Sequence, residues 1–331
     1  MTALRALFQQ RVDGDDALLR LARLRFGQAG LAAEVYADSP EQLDRILDLA
    51  PARPFLPVVH LHRGVDLLHA GGRAAVEAFA TRFAGLVVHD KAAMASRTDD
   101  LVETLRELGG RPDRPWLFLE YAAGLEPGWF VEVAERLRDA ERVSFCVDVG
   151  HVGIRQARGS FAREHPGLDL ATLSPQDPRL PDLADDVQRA VRSALPAVLE
   201  LTGALGRVGK PLHFHLHDGH PLIRGLSDHF SFLTQVPVPF SYEGRRALRP
   251  MYGPQGLAAI VLAAVEAAGA ERASLTLEIH QAEGRLPLGD AAGLFRHWRD
   301  LTNAERMNYW LSVLAENAML VASVLPSRAA G

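Results

Sequence analysis

The sequence predicts an α/β barrel of eight parallel strands, a (β/α)8 fold of the TIM type with a C-terminal helical extension. Short apolar runs alternate with longer amphipathic patterns between residues 31 and 279, and strands separated by helices imply right-handed parallel crossovers. At 331 residues and 48% hydrophobic, the chain can bury a full core and is long enough for two average domains or for one such barrel, so length alone does not choose. The rival, an open doubly wound sheet, lacks its marks: no Gly-x-Gly-x-x-Gly turn follows an early strand, and there is no Walker-type loop.

Taken in order, residues 1–30 are the least legible, with a helical pattern at 17–24 and no clear strand before it, so the first strand is left open. Residues 31–36 read as a strand, and Ser39-Pro40-Glu41 then opens a helix with a cap, a proline in the first turn and an acidic residue beside it. Strands follow at 55–61, 85–89, 116–120, 142–149, 211–216 and 274–279, with helices at 74–83, 99–108, 129–140, 185–205 and 255–268. Two irregular segments rich in Pro, Gly and Asp, about 158–181 and 221–254, read as insertions at the catalytic end of a single domain spanning 1–300. The tail, 301–331, carries Met307, Trp310, Leu311, Leu314 and Leu320; it either completes the outer ring or packs on a neighbouring subunit as a homo-oligomer contact.

Composition narrows the function. The formal charge of −5 argues against nucleic acid as the main partner, because phosphate binding favours a basic face. One cysteine, Cys146, permits no intramolecular disulfide, and no apolar run reaches the ~18 residues of a membrane span. A cytoplasmic enzyme acting on a small molecule, away from membranes, is the expectation. The 13 histidines matter by position.

The chain is organised around Ser144-Phe145-Cys146-Val147-Asp148-Val149-Gly150-His151. An acid at the end of an apolar strand, three residues before an imidazole, is the pattern of a metal-ligand pair at a strand-loop junction; an Asp capping the next helix beside a surface His explains the motif equally well. Recurrence separates the two readings. Because strand side chains alternate between faces, His60, His89, Glu120, His215 and Glu278 each lie at a strand's C-terminal end, on the face opposite its aliphatic residues, as Asp148 does. His62, His213, His217 and His280 share those faces, with His213 and Cys146 one layer deeper. In a barrel the aliphatic face meets the helices and the polar ends converge where active sites of this fold lie. Several carboxylates buried together are costly unless cations offset them, and mixed imidazole and carboxylate ligation suits zinc, manganese, iron or cobalt, with more than one ion per chain.

The ordered set His60, His89, Glu120, Asp148-x-x-His151, His215 and Glu278 resembles the xylose-isomerase-like barrel superfamily, and most closely its endonuclease IV branch. Glu120-Tyr121-Ala122-Ala123-Gly124 is similar to that branch's fifth-strand run, His215-Leu216-His217-Asp218 to its seventh and Leu277-Glu278 to its eighth. The resemblance covers about residues 30–280 and implies metal ligands at His60, His89, Glu120, Asp148, His151, His215, Asp228, His229 and Glu278. One departure is that Asp228 and His229 are adjacent here, where the branch has Asp-x-His followed at once by a glycine-rich loop.

Two functions follow. The first is a hydrolase with two or three metals acting on a small phosphoester, in which Glu120 bridges ions and a bound water is acidified. The second is a sugar or polyol isomerase or epimerase, in which Glu120 and Glu278 shuttle a proton beside a carbonyl and His151 contacts substrate. His60 and His89 favour the first; acidity and the insertions favour the second. A non-catalytic metal- or partner-binding barrel is a third class.

Overall fold

The computed structural model describes residues 3–8, 16–37, 39–49, 57–79, 83–173, 177–222, 229, 232, 250–279 and 303–325. Eight parallel strands close into a barrel in sequence order, with helices between them: β1 Ala3–Phe8, β2 Ala32–Ala37, β3 Val58–Leu61, β4 Gly85–His89, β5 Trp116–Glu120, β6 Val143–Asp148, β7 Leu212–Leu216 and β8 Ala273–Leu277. This is the α/β TIM-barrel fold.

The first strand, left open by the sequence, is present. In β1, Ala-Leu-Arg-Ala-Leu-Phe, Arg5 interrupts the apolar run, yet it is buried and its Nη1 donates to Ser274 Oγ at 2.6 Å. A strand that carries a satisfied cation into the interior does not advertise itself by hydropathy. The pairing places Arg5 opposite Ala32 on β2 and Thr276 on β8, which closes the barrel.

The helices are α1 Asp16–Ala29, α2 Pro40–Leu49, α3 Ala70–Ala78, α4 Thr98–Gly109, α5 Pro127–Arg136, α6 Val149–Glu164, α7 Leu180–Arg192, α8 Ala194–Gly206, α9 Gly253–Ala268 and α10 Asn303–Val324. Ser39 caps α2 through its Oγ, which accepts the Gln42 N–H at 3.2 Å. In α4 the buried stripe is Leu101, Val102, Leu105 and Leu108, at the spacing of a helix that covers a sheet.

Two readings of the helical layer are corrected. Residues 158–164 belong to α6, which starts directly after Asp148 and runs to Glu164; the segment then leaves helical geometry at His165-Pro166, where the residue before proline is pushed out of the α region. Glycines at 150, 153 and 159 masked this helix because each costs ~1 kcal/mol of propensity. The single helix expected over 185–205 is two, α7 and α8. Pro196 cannot share a continuous helix with the carbonyl four residues earlier, so the chain breaks at Ser193, whose Oγ donates to the Ala190 carbonyl.

The chain divides into two compact units, one of Met1–Asp148, Leu201–His215 and Ala263–Leu277, the other of Val149–Glu200, Leu216–Leu262 and Glu278–Gly331. The first holds the barrel strands, with a packed layer of Val58, Val87, Phe118 and Cys146 across β3 to β6. In the second, α6 packs on α7. Most of the 221–254 stretch lies outside the described residues. Among the described residues no helix is long and apolar enough to cross a membrane.

Candidate metal centre

In the first unit, strand ends deliver a cluster of ionisable side chains into the barrel. Register sets it up: His89 pairs with Glu120, and Asp148 with His215. His60, Glu120, Asp148 and His215 are buried, while the His89 side chain retains 14% exposure. His60 Nε2 lies 3.0 Å from Glu120 Oε2 and 3.2 Å from His89 Nε2, and His89 Nε2 lies 3.5 Å from the same carboxylate oxygen. Tetrahedral donors around an ion at 2.0–2.1 Å stand roughly 3.3–3.4 Å apart. The triangle matches that edge length, and among the described residues Glu120 Oε2 accepts no hydrogen bond of good geometry. Its spacing, burial and mixed nitrogen and oxygen chemistry fit a divalent cation.

The electrostatics agree. Burial opposes charge on Glu120, but the imidazoles of His89, His60 and His215 outweigh it and hold the carboxyl well below its ordinary range. Burial likewise opposes charge on His60; Glu120 outweighs it, and with Glu34 pushes that imidazole up to about 9. Without metal the proton on His60 offsets the Glu120 carboxylate; with metal the cation takes that part.

Glu34, on β2, is a participant that the sequence reading passed over. It is fully buried; its Oε1 accepts from His215 Nε2 at 2.8 Å and lies 3.2 Å from His60 Nδ1, while Oε2 accepts from His213 Nε2 at 2.9 Å. The available signal was an acid inside the apolar run Leu31-Ala32-Ala33-Glu34-Val35-Tyr36. Reading only strand ends missed it, because it sits three residues before the end of β2. His215 Nδ1 faces Glu120 Oε1 at 3.3 Å, so each of its nitrogens addresses one carboxylate.

His213 and Cys146 lie deeper, as their positions imply. Cys146 stands within ligand distance of His213 and His215, but burial pushes its thiol well up, which disfavours the thiolate that a metal requires. Asp90, after β4, is a second residue not singled out: its Oδ1 accepts the N–H groups of Ala122 and Ala123 in the exit from β5, and its own N–H donates to the Glu120 carbonyl at 2.9 Å.

The second unit carries its own imidazole group. The His217 and His229 rings pack at a tilt of 32° with centroids 3.9 Å apart, His151 meets them edge-on at 6.1 and 5.9 Å, and His229 Nε2 lies 3.7 Å from Glu278 Oε1. His217, which the sequence placed on the right face but did not assign as a ligand, directs Nδ1 at the Asp218 carbonyl at 3.0 Å. Asp218 accepts the N–H groups of Gly219, Met251, Tyr252 and Gly253, tying the exit of β7 to the start of α9; burial pushes its carboxyl up to about 6 against those donors. Asp228 and His280 lie outside the described residues, and His62 is exposed.

No family model matches the sequence, and no curated protein matches it. Among solved structures, a crystal structure described as AsfvAP:AG is 13% identical, with 98% of this chain and 99% of that chain covered at a TM-score of 0.52. The likeness is one of fold. A citrate lyase from Burkholderia xenovorans LB400 is 15% identical, with 98% of this chain and 97% of that chain covered at a TM-score of 0.36. What the barrel does is therefore argued from its own side chains.

Proposed function

We propose that this barrel is a metal-dependent enzyme of the xylose-isomerase-like kind, a hydrolase that uses more than one divalent ion on a small phosphoester. The observation that carries the reading is the triangle of His60 Nε2, His89 Nε2 and Glu120 Oε2, with sides of 3.2, 3.5 and 3.0 Å. His60, His89 and Glu120 would hold one ion, with His215 presenting Nδ1 beside the same carboxylate. The separate group of His217, His229 and Glu278 supports a further ion. When bound, such ions supply Lewis acidity and a water acidified toward neutrality. Around them, Glu34 and Asp90 would fix ligand-bearing strands, and His151, half-buried beside His217 and His229, would exchange a proton with substrate.

Elemental analysis of the purified protein tests this, read together with a panel of phosphomonoesters, phosphodiesters and ketose or aldose sugars. Two or three equivalents of a transition metal with chelator-sensitive phosphoester cleavage is the expected outcome. One equivalent, with solvent-proton exchange beside a sugar carbonyl and no hydrolysis, would instead mark an isomerase using Glu120 and Glu278. A metal-free protein that stays metal-free on dialysis against zinc, manganese, iron and cobalt would end both readings.

A further inference from the structure

We infer that Glu34 is the positioning residue of the first metal group, a single carboxylate that receives three imidazoles and thereby fixes which nitrogen of His60 and of His215 is left for a cation. The inference rests on the metal-binding reading of His60, His89, Glu120 and His215 and adds to it a residue that ligates nothing.

The proton pattern can be traced donor by donor. Arg5 Nη1 donates to Ser274 Oγ at 2.6 Å. Ser274 Oγ also lies 2.9 Å from His213 Nδ1, and its one hydrogen can point there; the opposite ring nitrogen faces the Glu34 carboxylate, which only accepts. His213 must then carry its proton on Nε2, where Glu34 Oε2 accepts it at 2.9 Å. Glu34 Oε1 is 2.8 Å from His215 Nε2 and 3.2 Å from His60 Nδ1. An ionised carboxylate only accepts, so Glu34 favours hydrogen on His215 Nε2, which it hydrogen-bonds, and on His60 Nδ1, which faces it at 3.2 Å without hydrogen-bond geometry. Glu120 makes the same demand on the opposite nitrogens, and an ion held beside Glu120 turns the choice toward Glu34. With an ion bound each ring is neutral and has one N–H, which leaves His215 Nδ1 toward Glu120 Oε1 and His60 Nε2 toward Glu120 Oε2 and His89 Nε2.

Those are the two atoms that face the Glu120 carboxylate. Glu34, His60 and His215 also stand close enough together to hold an ion; the ion is assigned to Glu120 instead, because three imidazoles already surround the two Glu34 oxygens in a fully buried setting. The arrangement is a carboxylate that donates nothing, orients metal-binding histidines and raises their basicity, here serving two such rings and anchoring a third that tethers it to β7.

Long-range proton–nitrogen NMR on histidine-labelled protein tests it, with His60→Gln, His213→Gln and His215→Gln used to assign the rings. In the zinc-loaded protein the expected pattern is Nδ1–H on His60 and Nε2–H on His215, with Nε2–H on His213 with or without zinc. Glu34→Gln turns one acceptor into a donor, so at least one of these rings should exchange tautomer and zinc affinity should fall 10- to 100-fold. The opposite tautomers in the wild-type protein, or a Glu34→Gln variant that binds zinc as tightly as wild type, would overturn the assignment. If wild-type protein binds no divalent metal, the metal reading fails, and the His213 ring alone decides: Nε2–H in wild type and Nδ1–H in Glu34→Gln would still place the carboxylate's control of the rings on record. The wild-type spectra settle the tautomers even where the variant fails to fold.

Discussion

The His217 imidazole packs so closely on the Cα of Gly150 that a methyl group there would lie 1.9 Å from its Cε1 and 2.5 Å from its Nδ1. Three residues on, a methyl at Gly153 would lie 1.9 Å from the Tyr252 hydroxyl, which donates to the Val149 carbonyl. The first turn of α6 is thus a glycine-lined seat for one candidate ligand and for the tyrosine that pins the turn.

Gly150→Ala should therefore displace His217 and, through the 3.9 Å ring contact, His229. Loss of metal from the second group by 10-fold or more is the expected result, read by metal titration or by the visible spectrum of cobalt-substituted protein. Gly159→Ala is the internal control, since a methyl group there would meet nothing within 4 Å and the residue is exposed on the same helix. It should leave metal content unchanged and stabilise by about 0.5–1 kcal/mol. Equal metal content in both variants would remove Gly150 from the account.

Asp90 predicts a graded series. Its carboxylate accepts two backbone N–H groups in the turn after Glu120, and hydrogen bonds to a charged acceptor contribute about 1.5–3 kcal/mol each. Asp90→Ala leaves two donors without this acceptor and should cost about 2–4 kcal/mol by denaturant unfolding, with weaker zinc binding at His89 and Glu120. Asp90→Asn keeps an oxygen acceptor and should fall between. If Ala and Asn behave alike, the carbonyl-type acceptor is not what holds the turn.

The raised His60 value gives the metal-free protein an alkaline limb. The folded imidazole titrates at about 9 against an ordinary 6.5, so the folded state holds one more proton than the unfolded chain between those values. Stability is fully present below pH 6.5 and is lost as pH rises through 9, by up to about 3 kcal/mol. The lowered Glu120 value describes the same ion pair and counts once. Urea unfolding of chelated protein from pH 6 to 9.5 should show this slope, and His60→Gln should flatten it. Zinc binding at pH 7 should also release protons, measurable by calorimetry in buffers of different ionisation heat.

Much of this was legible in the sequence because strand ends announce themselves. His60, His89, Glu120, Asp148 and His215 interrupt aliphatic runs at the period of a strand, and the structure buries four of the five in one unit. Three other features did not show. Arg5 hides β1 by putting a cation where hydropathy looks for a hydrocarbon. Glu34 was passed over because its role depends on three imidazoles from β3 and β7, contacts with sequence separations that no local pattern encodes. The helix α6 was missed because its glycines reflect what packs on them, and only the fold reveals His217 and Tyr252 there.

The last prediction concerns nucleic acid. Gripping a duplex takes several free Lys or Arg around one face and makes affinity fall steeply with salt. This chain has two lysines, and backbone carbonyls engage both: Lys210 is buried against those of Ala140 and Val143, and Lys91 donates to that of Arg63. Arginines in and beside 158–181 are engaged: Arg163 donates to the Gly159 carbonyl, and three others are answered by acids. Arg158 makes a two-pronged pair with Asp169 at 2.9 and 2.7 Å, Arg179 one with Asp177 at 2.9 and 2.8 Å, and Arg189 joins Glu164 and Asp186. A phosphate backbone would have to break those pairs to be bound. We therefore expect abasic duplex to bind no tighter than about 10⁻⁴–10⁻⁶ M at physiological salt, the range of non-specific contacts, without incision at the abasic site. Submicromolar binding with a steep salt slope, together with incision, would show that the acidic partners give way to DNA and that the substrate is not small.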